Sequence, residues 1–197
     1  GHPEATLNKI WEDWKKFAQY AFNKSHATCY AWVGYQTGYL KAHYPAEYMS
    51  AVLSNNMNNM DEIAKFMDDI KKHDIKILGP DVNESFTQFT VNKQGNVRFG
   101  MAGIKGIGEN AVNSVIQERE ANGIYKDVFD FIERVNLTTV NKKGIESLVG
   151  SGAFDCFQEV NRGTFAVDLG KGETFADILL RYGNKFQKNS SDASTSL

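Results

Sequence analysis

The chain has 197 residues, 42% hydrophobic and 23% charged, with 22 Lys and Arg against 24 Asp and Glu for a formal net charge of -2. That is apolar material enough for one globular core or two small joined ones, and it excludes a disordered tail. The near-even charge balance excludes a uniformly basic nucleic-acid coat, so phosphate binding would have to come from local clusters.

Cys29 and Cys156 stand far apart, without CxxC spacing or clustered histidines, so neither a zinc site nor a disulfide framework is indicated. The expectation is a reducing, cytoplasmic setting. No apolar run reaches the length of a membrane span, and no signal pattern opens the chain. Gly1 and His2 read as a cloning remnant and "NSSDASTSL" as a disordered tail or arbitrary boundary, so both ends look cut from something longer.

In chain order, Leu7, Ile10, Trp11, Trp14, Phe17, Ala18 and Ala21 follow a helical period and predict an amphipathic helix. Asn23 to Ser25 interrupt it. A second helix is expected from about His26 to His43, with Ala27, Ala31, Gly34 and Gly38 as a small-residue stripe that predicts burial in a helical layer. Pro45 opens a third helix in the favoured first-turn position, and Ile63, Phe66, Met67 and Ile70 mark a fourth ending near His73.

The texture changes at "IKILGPDVN", where Gly79-Pro80 signals a turn, and "FTQFTVNKQGNVRFG" predicts a β-hairpin around "NKQGN". Two stretches then read as copies of one helix-hairpin-helix idea, "GMAGIKGIGENAVNSVIQERE" and "VNKKGIESLVGSGAFDCF". The fold class expected is mainly α: a helical part over 1–85, a β-hairpin with a tandem helix-hairpin-helix module over 86–160, and a partly disordered extension over 161–197.

Gly106-Ile107-Gly108, with Lys105 beside it and Ala111, Val112, Val115 and Ile116 on the following helix, is the most specific signal. Such a turn exposes backbone N–H groups next to the positive end of a helix, which suits a DNA phosphate without base readout. The competing reading is a tight connection that binds nothing. The second copy offers Gly150, Ser151 and Gly152, with Lys142 and Lys143 at the start of its helix, and a purely structural partner fits it equally well.

Asn23, Lys24, Ser25 and His26 gather donors where a helix begins. A cap, supplied by Ser25 or Asn23, explains one of them. An ammonium, a hydroxyl and an imidazole at a helix N-terminus also make an anion pocket suited to a di- or triphosphate. His43 and His73 read as structural. Asp61-Glu62 and Asp68-Asp69 read as solvent-facing charge, not as converging magnesium ligands. No Walker loop, Gly-x-Ser-x-Gly elbow or Cys-His pair at informative spacing is present.

"KFAQYAFNKSHATCYAWVGYQTGYLKAHYPAEYMSAVL", then "PDVNES", "FGMAGIKGIGENAV" and "LVGSGAFD", run in an order that closely resembles the bacterial replicative DNA polymerase III alpha subunits, the C-family polymerases. The resemblance runs from about Lys9 to Phe157 and stays detectable in "NRGTF" and "LLRYGNKFQ". It implies a fingers portion followed by the helix-hairpin-helix module behind the active site, with duplex primer-template DNA, a deoxynucleoside triphosphate, the remaining polymerase domains and the replicase holoenzyme as partners. It places Lys24, Ser25 and His26 toward the triphosphate, Asn23 at the turn, and Lys105 to Gly108 on the DNA backbone. The family's palm, whose aspartates hold Mg2+, has no counterpart here, so the isolated chain is expected to hold no cofactor and to bind without catalysing. The alternatives are a stand-alone, non-enzymatic helix-hairpin-helix DNA-binding or scaffold protein, which needs no nucleotide site, and a protein-interaction module without salt-sensitive DNA binding.

Overall fold

The computed structural model describes residues 1–20, 23–168, 170 and 172–195. Ala21 and Phe22, which the sequence assigns to the first helix and to the cluster after it, lie outside the described residues, as do Ser196 and Leu197. The chain divides into two compact units, Gly1–Tyr44 and Pro45–Leu197.

The first unit is two helices, α1 (Glu4–Tyr20) and α2 (Lys24–His43). The periodicity of α1 is helical as expected, yet its apolar face is open: Trp14 and Phe17 are 68% and 73% exposed. The expected burial of α2 is not met, because no residue of it is buried. Its large apolar side chains, Tyr30, Trp32, Val33 and Tyr35, spread around the cylinder instead of forming one stripe. Among the described residues, nothing comes within 4 Å of the Cβ positions of Gly34 and Gly38, so the small-residue stripe meets no partner backbone there.

The second unit begins with α3 (Pro45–Asn55) and α4 (Met60–Lys71), the latter capped by the Asn59 side chain accepting from the Glu62 N–H. A three-stranded sheet comes next, in the order β1 (Ile77–Leu78), β3 (Val97–Arg98), β2 (Thr90–Val91). β2 and β3 form the expected antiparallel hairpin, while β1, unread in the sequence, pairs parallel to β3. Two-residue strands carry too short a period-2 signal to be told from loop.

The unit boundary falls at Tyr44, not near Ser85. Ala46, Met49, Leu53, Ile63 and Ile70 of α3 and α4 share a core with Phe89 and Val97 of the hairpin region, so these two helices belong with the sheet. Ser85 is itself fully buried, its hydroxyl donating to the Phe99 carbonyl at 2.8 Å.

After a 3-10 turn at Met101–Gly103 come α5 (Glu109–Asn122), α6 (Val128–Arg134), α7 (Lys142–Ser151), α8 (Arg162–Ala166) and α9 (Phe175–Thr195). They enclose one apolar core that includes Val112, Phe131, Ile145 and Phe154. Part of the extension over residues 161–197 packs on the module: Phe165, Ala176 and Leu179 bury in that same core. No described helix is long and apolar enough to cross a membrane.

Candidate nucleic-acid interface

The hairpin between the 3-10 turn and α5 is pinned by Ile104 and Ile107, both buried, while Lys105, Gly106 and Gly108 are exposed. Gly106 has φ +100°, a conformation closed to β-branched residues, and a Cβ there would run into the Ser147 hydroxyl of α7. Gly108 precedes α5 with ordinary extended backbone and brings no side-chain cap; the Ala111 N–H turns back to the Gly108 carbonyl at 3.0 Å, while the Glu109 and Asn110 N–H groups have no hydrogen-bond partner among the described residues. Glu109 in that turn offsets part of the helix-end charge. The Lys143 stem passes the same turn, its Cε 3.6 Å from the Cβ position of Gly106. Lys105 and Lys143 have no ion-pair partner among the described residues.

The second hairpin is not where the glycines predict it. Gly150 and Ser151 lie in the last turn of α7, and Gly152 closes that helix with φ +89°. Its N–H donates to the Val149 carbonyl at 3.0 Å, the Ala153 N–H to Leu148 at 2.9 Å, and the Ser151 hydroxyl to Leu148 at 2.9 Å. These donors are consumed by the helix C-terminus, where the dipole repels anions, so Gly150, Ser151 and Gly152 do not form a phosphate turn.

The structural repeat of the first hairpin is instead the loop of residues 135–141 between α6 and α7. Leu137 and Val140 are buried there three residues apart, as Ile104 and Ile107 are, and each pair is followed by the helix cap, Asn141 or Gly108. That repeated spacing was the available signal, hidden because the second loop lacks Gly-x-Gly. Asn141 accepts from the Gly144 N–H at 3.1 Å, and Lys142 and Lys143 occupy the exposed first turn of α7. Lys142 is engaged with Asp177 of α9 at 2.7 Å. The Gln187 amide of α9 donates to the Ile132, Glu133 and Val135 carbonyls, satisfying the end of α6 where this loop begins.

The other cluster belongs to the first unit. Asn23 caps α2 by accepting from the His26 N–H at 3.0 Å, which takes the cap role. Lys24, Ser25 and His26 form the exposed first turn, with the His26 ring 4.4 Å from that of Tyr30.

Acidic pairs sit at the surface: Glu62 holds Lys65 at 2.6 Å, and Asp68 holds Lys71 at 2.8 Å, which pulls the Asp68 carboxyl below its ordinary value. No three His, Cys, Asp or Glu side chains converge as a metal site among the described residues. The donor set therefore does not fit the Mg2+ that the resemblance implies, and no chemical step is assigned to it.

Residues 74–165 match the helix-hairpin-helix motif family. The chain is 46% identical over 147 residues to the DNA polymerase III subunit alpha of Pasteurella multocida, covering 75% of this chain and 13% of that protein. With its counterpart in Neisseria meningitidis it shares 41% over 170 residues, 86% of this chain and 15% of the relative. With that of Aquifex aeolicus it shares 41% over 155 residues, 79% and 13%. The chain thus spans about an eighth of the length of these relatives. Identity of this order over three quarters of the chain, joined to the motif match, means that the chain belongs to the DNA polymerase III alpha subunit family, as a piece spanning a small part of its members' length.

Proposed function

We propose that this chain serves a DNA-directed DNA polymerase by gripping duplex primer-template DNA through its phosphates and by facing the incoming deoxynucleoside triphosphate. The observation that carries the DNA reading is the exposed Gly106–Gly108 turn ahead of the uncapped end of α5, flanked by the unpaired Lys105 and Lys143, within the region that matches the motif. Backbone N–H groups there would donate to phosphate oxygens, and the two ammonium groups would add charge without reading sequence. Lys142, Lys143 and the two backbone N–H groups of that turn which the Asn141 cap leaves free would make the equivalent contact from the second hairpin.

Nucleotide binding is assigned to the first turn of α2. Lys24 would neutralise the triphosphate as a point charge, and Ser25 and His26 would donate hydrogen bonds, while Asn23 fixes the turn. In the whole enzyme the primer 3′-hydroxyl attacks the α-phosphate and pyrophosphate leaves. Magnesium would supply the charge neutralisation for that transfer, held by residues other than these, so the isolated chain binds without catalysing.

Fluorescence anisotropy of a labelled primer-template duplex over a salt series tests the grip. Binding should weaken as salt rises. Gly106→Val should cost about tenfold, the loss of one charge-assisted phosphate contact. Lys105→Ala, an exposed change that leaves the fold intact, should lower the salt slope by about one. Salt-independent binding, or equal binding by both folded variants, overturns the assignment. For the nucleotide, Lys24→Ala/His26→Ala in the full-length subunit should raise the nucleotide KM with the fold unchanged; an unaltered KM refutes that role.

A further inference from the structure

Of the three lysines at the hairpins, only Lys142 faces a carboxylate from another helix. Its Nζ lies 2.7 Å from Asp177 Oδ1 and 3.9 Å from Glu146 Oε1. Asp177 is not a loose surface acid. Its second oxygen accepts from the Thr174 N–H at 3.0 Å and the Thr174 hydroxyl at 2.8 Å, so the residue just before α9 holds it in place. The Lys142 hydrogen bond first, and then the two from Thr174, keep this carboxyl ionised down to about 2. The pair remains partly open, with the side chains 45% and 28% exposed, and exposed ion pairs are weak enough to exchange.

A carboxylate so placed presents to Lys142 the chemistry that a DNA phosphate would: an anionic oxygen at hydrogen-bond distance beside the positive end of α7. Asp177 lies outside the 74–165 match, on a helix that also braces the loop of residues 135–141 through Gln187. We propose that Asp177 is a built-in competitor for DNA phosphate at Lys142, so that α9 limits how tightly the second hairpin holds a duplex. The inference rests on the reading that the first turn of α7 faces DNA.

A double-mutant cycle on the 197-residue chain tests it, by duplex anisotropy at fixed low salt with Asp177→Asn, Lys142→Ala and the pair. Asn keeps an oxygen for the Thr174 donors and removes only the charge. Asp177→Asn should tighten binding by about two- to fivefold, the range of an exposed ion pair. The same change in the Lys142→Ala background should have no effect. Tightening of equal size in both backgrounds would mean a general charge effect and overturns the competitor role, as does no tightening with Lys142 present. If the unaltered chain shows no salt-sensitive duplex binding, the DNA reading itself fails and takes this inference with it.

Discussion

Gly106 and Gly108 look equivalent in the sequence and differ in the folded chain. Gly106 carries the backbone demand, a positive φ with no room for a Cβ beside Ser147. Gly108 has φ -82° and open space around it, so what it contributes is the absence of a capping side chain. The cysteines also separate at this scale. Cys29 is exposed, whereas burial, reinforced by the Asp81 carboxylate, pushes the Cys156 thiol up to about 12. A thiol reagent at neutral pH should therefore label one cysteine quickly in the folded chain and both in denaturant. Two fast equivalents under native conditions would contradict this packing.

Among the elements, α9 braces the module from outside the motif match, through Gln187 and Gly183. Gly183 lets it lie on α6: a Cβ there would run into Ile132 Cγ2 and stand 2.9 Å from Leu137 Cδ1 and 3.2 Å from the Ile132 carbonyl. Gly183→Ala should thus lower stability by about 1–3 kcal/mol through overpacking, read as a drop in Tm. An unchanged Tm would show that α9 does not rest on α6 this closely. Leu137, displaced by the same change, belongs to the second hairpin loop, so duplex binding should weaken along with stability. The sequence made residues 161–197 look like a loose extension because they end in the polar run "NSSDASTSL". Phe165, Ala176 and Leu179 suffice because each meets a core already formed by α5, α6 and α7.

For the whole molecule, the buried apolar residues begin at Ala46 and none precedes it among the described residues. The two clusters meet around the sheet, where Phe99 packs against both. Residues 45–197 on their own should therefore unfold cooperatively at nearly the same Tm as the 197-residue chain, and retain the salt-sensitive duplex binding. A large fall in Tm on removing residues 1–44 would mean that α1 and α2 supply core contacts. Nucleotide phosphates, by contrast, should lose affinity with that removal, since Lys24, Ser25 and His26 go with it.

The helical class, the β-hairpin and the position of the first hairpin turn were legible in the chain alone, because each is written in local residue types: a 3.6-residue period, β-rich runs around a turn, Gly-x-Gly. A cap before α2 was legible too, but the choice of Asn23 over Ser25 came from the fold. The open face of α2, the boundary at Tyr44, the true second hairpin and the Lys142–Asp177 pair were decided by tertiary structure alone. Each depends on which surfaces meet. Lys142 and Asp177 are 35 positions apart, and Gly152 reads as a hairpin glycine until the carbonyls of Leu148 and Val149 are seen to use the N–H groups just past α7. Long-range burial and hydrogen bonding choose among local options that the chain leaves equally acceptable.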